Sequence, residues 1–143
     1  MEKQLNCVLL IDDDEPTNFI NSRLIELSNS TEKIVVTNGG EQALEYLKSE
    51  DEEHEQPDLI LLDINMPAMN GWEFLERYKE LDDALKQNST IVMLTTSTNP
   101  RDKERASSIA EISGFASKPL TLDTISNLMT SLFSKKLISK ISS

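Results

Sequence analysis

The sequence predicts an α/β fold, a five-stranded parallel sheet with helices wound on both faces. Two observations predict it. Short apolar runs alternate with segments of helical period, which is the signature of βα units. Four of those runs also end on polar residues of different kinds. CVLLI (7–11) ends on Asp12 and Asp13, DLILL (58–62) on Asp63, TIVML (90–94) on Thr95, and GFAS (114–117) on Lys118, with Pro119 next. Runs of Val, Ile and Leu bounded by polar residues read as strands buried on both faces. In a parallel sheet the carboxyl ends of the strands share one edge, and ligands bind there. Three carboxylates, a hydroxyl and an ammonium would converge on that edge. The set suits a divalent cation and a phosphoryl group.

Each element follows in order. Glu15–Leu27 reads as the first helix, with Asp14 as N-cap and Pro16 in its first turn. Ile20, Leu24 and Leu27 fall at i, i+4, i+7 and predict its apolar face. KIVVT (33–37) is the second strand, and after Gly39-Gly40 a helix over 41–49 turns Ala43, Leu44 and Leu47 inward. The third strand, 58–62, leads into DINMPAMNG (63–71), where Pro67 and Gly71 punctuate a turn. Trp72–Leu85 is expected as the third helix, with Trp72, Leu75 and Tyr78 on one face. The fourth strand is 90–95, and a Ser- and Ala-rich helix spans Pro100–Glu111. After the fifth strand, 114–117, the last helix begins near Leu122. It carries Leu122, Ile125, Leu128, Met129, Leu132 and Phe133 on one stripe. The expectation is five strands and five helices, with right-handed crossovers.

Composition sets further bounds. A chain of 143 residues reads as one domain, here 1–135 with a tail over 136–143. It is long enough to bury a core without disulfides. Cys7, the only cysteine, lies inside the first strand and reads as a small buried hydrophobe. No leader and no apolar stretch near 18 residues is evident, so a cytoplasmic protein away from membranes is expected. The net charge of −11 argues against direct nucleic-acid binding. Glu50–Glu55 (EDEEHE) reads as a solvated acidic loop, and His54 within it as a solvated side chain rather than a metal ligand. Lys135, Lys136 and Lys140 make the last stretch basic.

An aspartate can accept a phosphoryl group. Donor and nucleophile are both anionic, and Mg²⁺, held by hard oxygen ligands, answers that repulsion. Lys118 would supply a charge and Thr95 a hydroxyl to the transferred oxygens. Taken singly, these residues are weak signals: Asp14 is better explained as a helix cap, and Asp63 could open a turn. Together, four residue types at the ends of four runs are specific.

VLLIDDDEPTN, DLILLDINMPAMNGWEFL, IVMLTTS and GFASKPL resemble the receiver domain of two-component response regulators, over about residues 5–135. The resemblance implies a doubly wound, flavodoxin-like strand order of 2-1-3-4-5. It implies that Asp63 is phosphorylated by a histidine kinase or histidine phosphotransfer protein. Asp12 and Asp13 would place Mg²⁺, Asp13 directly and Asp12 through water, and Asn65 would lend a backbone carbonyl. Thr95 matches the switch hydroxyl, Lys118 the phosphoryl-binding lysine and Phe115 the switch aromatic, whose plainer role is a core Phe on a short edge strand. Asn65 and Ser97 occupy variable positions that influence phosphoryl lifetime. The Lys118–Pro119 bond is a candidate cis bond. On this reading the protein is a switch and not an enzyme, beyond accepting a phosphoryl group from a donor and losing it again. Output is expected by docking to another protein through the fourth helix, fifth strand and fifth helix, as a monomer or a phosphorylation-dependent dimer.

Three other readings compete. A haloacid-dehalogenase-like phosphatase would use Asp12 as nucleophile and Asp14 as acid/base, but leaves Asp63 and its MP…G turn unexplained. A receiver fold that binds without phosphorylation leaves Asp63, Thr95 and Lys118 idle. An FMN site would set a flavin phosphate against three aspartates.

Overall fold

The computed structural model describes residues 4–51, 54–96 and 99–142. Glu52 and Glu53 of the acidic run, Ser97, and the side chains from 134 onward, Lys135, Lys136 and Lys140 included, lie outside the described residues.

Five strands, β1 (Leu5–Ile11), β2 (Thr31–Thr37), β3 (Leu59–Asp63), β4 (Thr90–Thr95) and β5 (Ile112–Ser117), form one parallel sheet in the order β2-β1-β3-β4-β5. The order reverses between β1 and β3, which opens a crevice outside their carboxyl ends.

The central strands are apolar throughout because both faces are covered. Successive side chains alternate between the faces. Leu9, Ile11, Ile60, Leu62, Ile91 and Met93 pack on one side against helices α2 (Gly40–Lys48), α3 (Gly71–Lys79) and α5 (Pro100–Ser107). Val8, Leu10, Leu59, Leu61, Val92 and Leu94 pack on the other against α1 (Glu15–Ser28) and α6 (Leu122–Ser142). Ile125, Met129 and Phe133 are buried as the stripe on the last helix predicts, but Leu122 is 45% exposed at its start. α6 runs through the residues expected as a tail. Among the described residues no helix is long and apolar enough to cross a membrane.

Two expectations about the helices fail. The expected helix Trp72–Leu85 breaks: α3 ends at Lys79, and a four-residue helix, α4 (Asp83–Lys86), follows. The periodicity runs on past Lys79, and Leu81 still packs against the core, but the backbone tightens there: the N–H groups of Glu80 and Leu81 donate only three residues back, to the carbonyls of Arg77 and Tyr78, which closes the helix. The described residues therefore hold six helices, and the expected fourth and fifth are α5 and α6. The second failure is the face of α1. Asn18, Asn21 and Ile25 are buried and Leu24 is half-buried, while Phe19, Ile20 and Leu27 are 69%, 56% and 68% exposed. A polar tether sets the rotation: Asn18 Nδ2 donates to the carbonyl of Asp12 at 2.8 Å, which turns 18, 21 and 25 toward the sheet.

His54 also differs from expectation. Its ring sits on Tyr46 with centroids 4.5 Å apart, so it is part of a small packed cluster. Cys7 is fully buried, and burial pushes its thiol pKa up.

Candidate functional site

Strand register assembles the site. Ile11 pairs with Leu62, so Asp12 and Asp63 leave adjacent strands side by side. Asp63 pairs with Leu94, so Thr95 stands one step beyond it. Thr95 pairs with Ser117, so Lys118 follows one step further. The parallel sheet thus turns four distant sequence positions into one cluster at the switch point.

Side chains complete it. Lys118 Nζ lies 2.7 Å from Asp12 Oδ2 and 3.0 Å from Asp63 Oδ1. Asp12, Asp13 and Asp63 each bring a carboxylate oxygen within 4.8 Å of the others. Asp12 and Asp63 are 4% and 5% exposed, whereas Asp13 faces solvent. The Lys118–Pro119 bond is cis, and Lys118 N–H donates to the carbonyl of Thr95 at 2.8 Å. Thr95 is fully buried. Asn65 is exposed, and its backbone N–H donates to the Asp63 carboxylate. Phe115 sits half-buried on edge strand β5, beside Met93 and packed against the α2/α3/α5 side of the core.

The electrostatics match a site that wants a cation. Burial pushes the Asp63 carboxyl above the ordinary aspartate range and Asp12 adds repulsion, partly offset by the Lys118 hydrogen bond. Burial alone would lower Lys118, but its hydrogen bonds and charge pairing with Asp12 and Asp63 prevail and hold it above the usual lysine value. One ammonium offsets only part of three carboxylates. The donor set, hard oxygens on a concave edge, fits Mg²⁺. Asp14 stands apart as the α1 N-cap, accepting from the Thr17 hydroxyl and N–H, which hold its carboxyl below the usual range.

Comparison with known proteins decides the family. A family model described as the response regulator receiver domain matches residues 8–130. The chain belongs to the response regulator receiver family. A solved two-component response regulator from Cytophaga hutchinsonii is similar at 34% identity, with a TM-score of 0.82 over 91% of this chain and 97% of that one. One from Legionella pneumophila, at 33% identity, gives 0.75 over 90% and 98%. Among curated relatives, the sensory/regulatory protein RpfC of Xanthomonas campestris pv. campestris is 29% identical over 128 residues, 87% of this chain and 16% of RpfC. The nitrate/nitrite response regulator NarL of Escherichia coli is 35% identical over 95 residues, 66% of this chain and 40% of NarL. The receiver thus spans well under two thirds of these relatives' lengths. Membership makes the chain a module of phosphorylation-dependent, two-component signalling. Receivers of this family typically bind Mg²⁺ at an acidic pocket and work with histidine kinases or phosphotransfer proteins.

Three features of this receiver's site escape the sequence reading. Gly71 is legible as a turn residue, but its reason is contact. A Cβ there would lie 2.9 Å from the carbonyl oxygen of Asp63 and from Ile64 Cα. Asn18, which holds the Asp12 carbonyl, is hidden because an Asn in a helix reads as solvated. Arg105 of α5 lies over the ring of Trp72, 4.3 Å from its centroid, a link between two helices with no sequence signal.

Proposed function

We propose that this receiver is a two-state switch in which Asp63 accepts a phosphoryl group from a histidine kinase or histidine phosphotransfer protein, with Mg²⁺. The observation that carries the reading is the convergence of Asp12, Asp13 and Asp63 within 4.8 Å, with Lys118 on Asp63 at 3.0 Å. Asp13, Asp63, the Asn65 carbonyl and, through water, Asp12 would hold the cation, which when bound neutralises charge on the donor phosphoryl group. Asp63 Oδ attacks phosphorus and the bond from phosphorus to the donor imidazole nitrogen breaks, its electron pair staying on that nitrogen; with a proton already on the ring's other nitrogen, the donor leaves as a neutral imidazole. Lys118 pairs with the transferred oxygens, leaving its contact with the Asp63 carboxylate.

Phosphorylation then draws the Thr95 hydroxyl toward the new oxygens, Phe115 turns into the vacated space, and the α5-β5-α6 face changes for a downstream protein. A shift from 1:99 to 99:1 requires about 5.5 kcal/mol of differential interaction. Charge-assisted hydrogen bonds at roughly 1.5–3 kcal/mol each supply it. The phosphodonor needs a docking surface beside the pocket. Phe19 and Ile20, exposed in the N-terminal half of α1 that follows the Asp12–Asp14 loop, suit that contact. The reading is of a cytoplasmic protein, monomeric or dimerising on phosphorylation, with no direct contact to nucleic acid or membrane.

The test is incubation with Mg²⁺ and acetyl phosphate followed by mapping of the modified residue. The reading expects an acid-stable, hydroxylamine-sensitive adduct on Asp63 and none in Asp63→Asn. A folded protein never modified at Asp63 would refute it, and modification at Asp12 would point to the phosphatase reading.

A further inference from the structure

Among the three carboxylates of the site, Asp13 alone is exposed, so something must set its direction. Asp12, just before it, is tied at four atoms. Its N–H donates to the Thr37 carbonyl at 3.3 Å, its Oδ1 accepts from Asp14 N–H at 3.0 Å, its Oδ2 meets Lys118 Nζ at 2.7 Å, and its carbonyl accepts from Asn18 Nδ2 at 2.8 Å. The last of these bears on Asp13. The Asp12 carbonyl and the Asp13 N–H lie in one planar peptide unit. A donor on that carbonyl therefore fixes the plane from which the Asp13 side chain departs.

Asn18 is an unusual side chain for its place. It is 4% exposed, on the sheet-facing side of α1. Nδ2 serves Asp12 and reaches Asn38 Oδ1 at 3.4 Å, while its own Oδ1 is shielded from water and has no hydrogen-bond partner among the described residues. A buried acceptor left unpaired lowers stability, and an apolar side chain of the same size would not carry that penalty. What the amide provides is the bond to Asp12.

We infer that Asn18 is a positioning residue of the cation site: it fixes the Asp12–Asp13 peptide so that the Asp13 carboxylate points at the ion-holding cluster. This rests on the proposed reading of that cluster as a Mg²⁺ site. Partners that orient metal ligands typically cost about 10–100-fold in affinity when removed.

The experiment is a calorimetric Mg²⁺ titration of the full chain as wild type, Asn18→Leu, Asn18→Ala and Asn38→Ala, each paired with metal-free thermal unfolding. Wild type binds. Asn18→Leu and Asn18→Ala weaken binding about 10–100-fold, with a metal-free unfolding temperature within a few degrees of wild type, and Asn38→Ala keeps wild-type affinity. Folded Asn18 variants of wild-type affinity overturn the inference while the Mg²⁺ reading stands. So do Asn18 variants that fail to fold or lose affinity only as their metal-free stability collapses, because the residue is then structural. An equal loss in Asn38→Ala overturns it too, since the second loop would then be the cause. Failure of wild type to bind Mg²⁺ overturns the inference and the metal reading together.

Discussion

Asp63 carries a charge that its surroundings tolerate poorly. Its raised pKa means that the metal-free fold binds a proton there more tightly than the unfolded chain does. Stability falls as pH rises from the ordinary aspartate value of 3.8 through the raised folded value, and stays lower above it. Asp63→Asn removes that loss. Metal-free Asp63→Asn therefore unfolds at a higher temperature than wild type at neutral pH, and the two converge in acid, as circular dichroism melts across pH will show. Lys118 has the same sign in a much higher window: its contribution is fully present below pH 10.5 and is lost as pH rises through its raised folded value. Gly71 sits in the same small space. In Gly71→Ala the new methyl, 2.9 Å from the Asp63 carbonyl oxygen, forces the loop or α3 to move. Overpacking of this kind costs about 1–3 kcal/mol. Denaturant unfolding should show that loss, alongside slower labelling of Asp63 by acetyl phosphate.

At the scale of elements, α1 and α5 have unusual packing. α1 points Asn18 and Asn21 inward and leaves Phe19, Ile20 and Leu27 in solvent. Substituting Phe19 and Ile20 by Ser should change stability by less than about 0.5 kcal/mol each, as surface changes do. Transfer from a phosphohistidine protein should slow at least tenfold, while labelling by acetyl phosphate is unchanged. Equal transfer rates would exclude α1 as the docking surface. α5 buries one side chain fully, Ala106, and Arg105 lies over Trp72 of α3. An exposed cation–π contact is worth about 0.5–1 kcal/mol, or 2- to 5-fold in a population. Trp72 is the only tryptophan in the chain, so its fluorescence reports that contact directly. Arg105→Ala should change the resting emission and lessen any further change on phosphorylation.

For the whole molecule, the central strands fasten the sheet while the edges and α5 are lightly held. β3 is buried at all five positions, whereas β5, the edge that carries Phe115 and leads to Lys118, is half-exposed. Local freedom of this kind lets a ligand shift a population without unfolding the core. Lys118→Ala should still accept phosphoryl from acetyl phosphate, at a reduced rate, yet fail to give the Trp72 fluorescence change of the phosphorylated wild type. A normal change would remove Lys118 from the switch.

Much of this architecture is legible in the amino-acid order. The strands were readable because burial on both faces demands unbroken Val, Ile and Leu, and their ends because polar residues stop such runs abruptly. Asp12, Asp13, Asp63, Thr95 and Lys118 were readable as a set for the same reason, since parallel strands bring their carboxyl ends together whatever the loops do. The rotation of α1 was not readable. Its apolar period points to Ile20 and Leu27, but Asn18 bonds the Asp12 carbonyl in the loop before the helix and Ile25 packs into the core, and no periodicity shows that a helix Asn will find a backbone carbonyl. The break after Lys79 was hidden likewise, because the apolar period persists through Leu81 while the backbone tightens into a turn. Local sequence thus determined which segments are strands and which chemistry stands at their ends, through burial and periodicity. The tertiary structure alone decided how the helices are rotated, that Gly71 must clear Asp63, and how Lys118 divides between Asp12 and Asp63, because those depend on the three-dimensional path of loops and on contacts that periodicity does not encode.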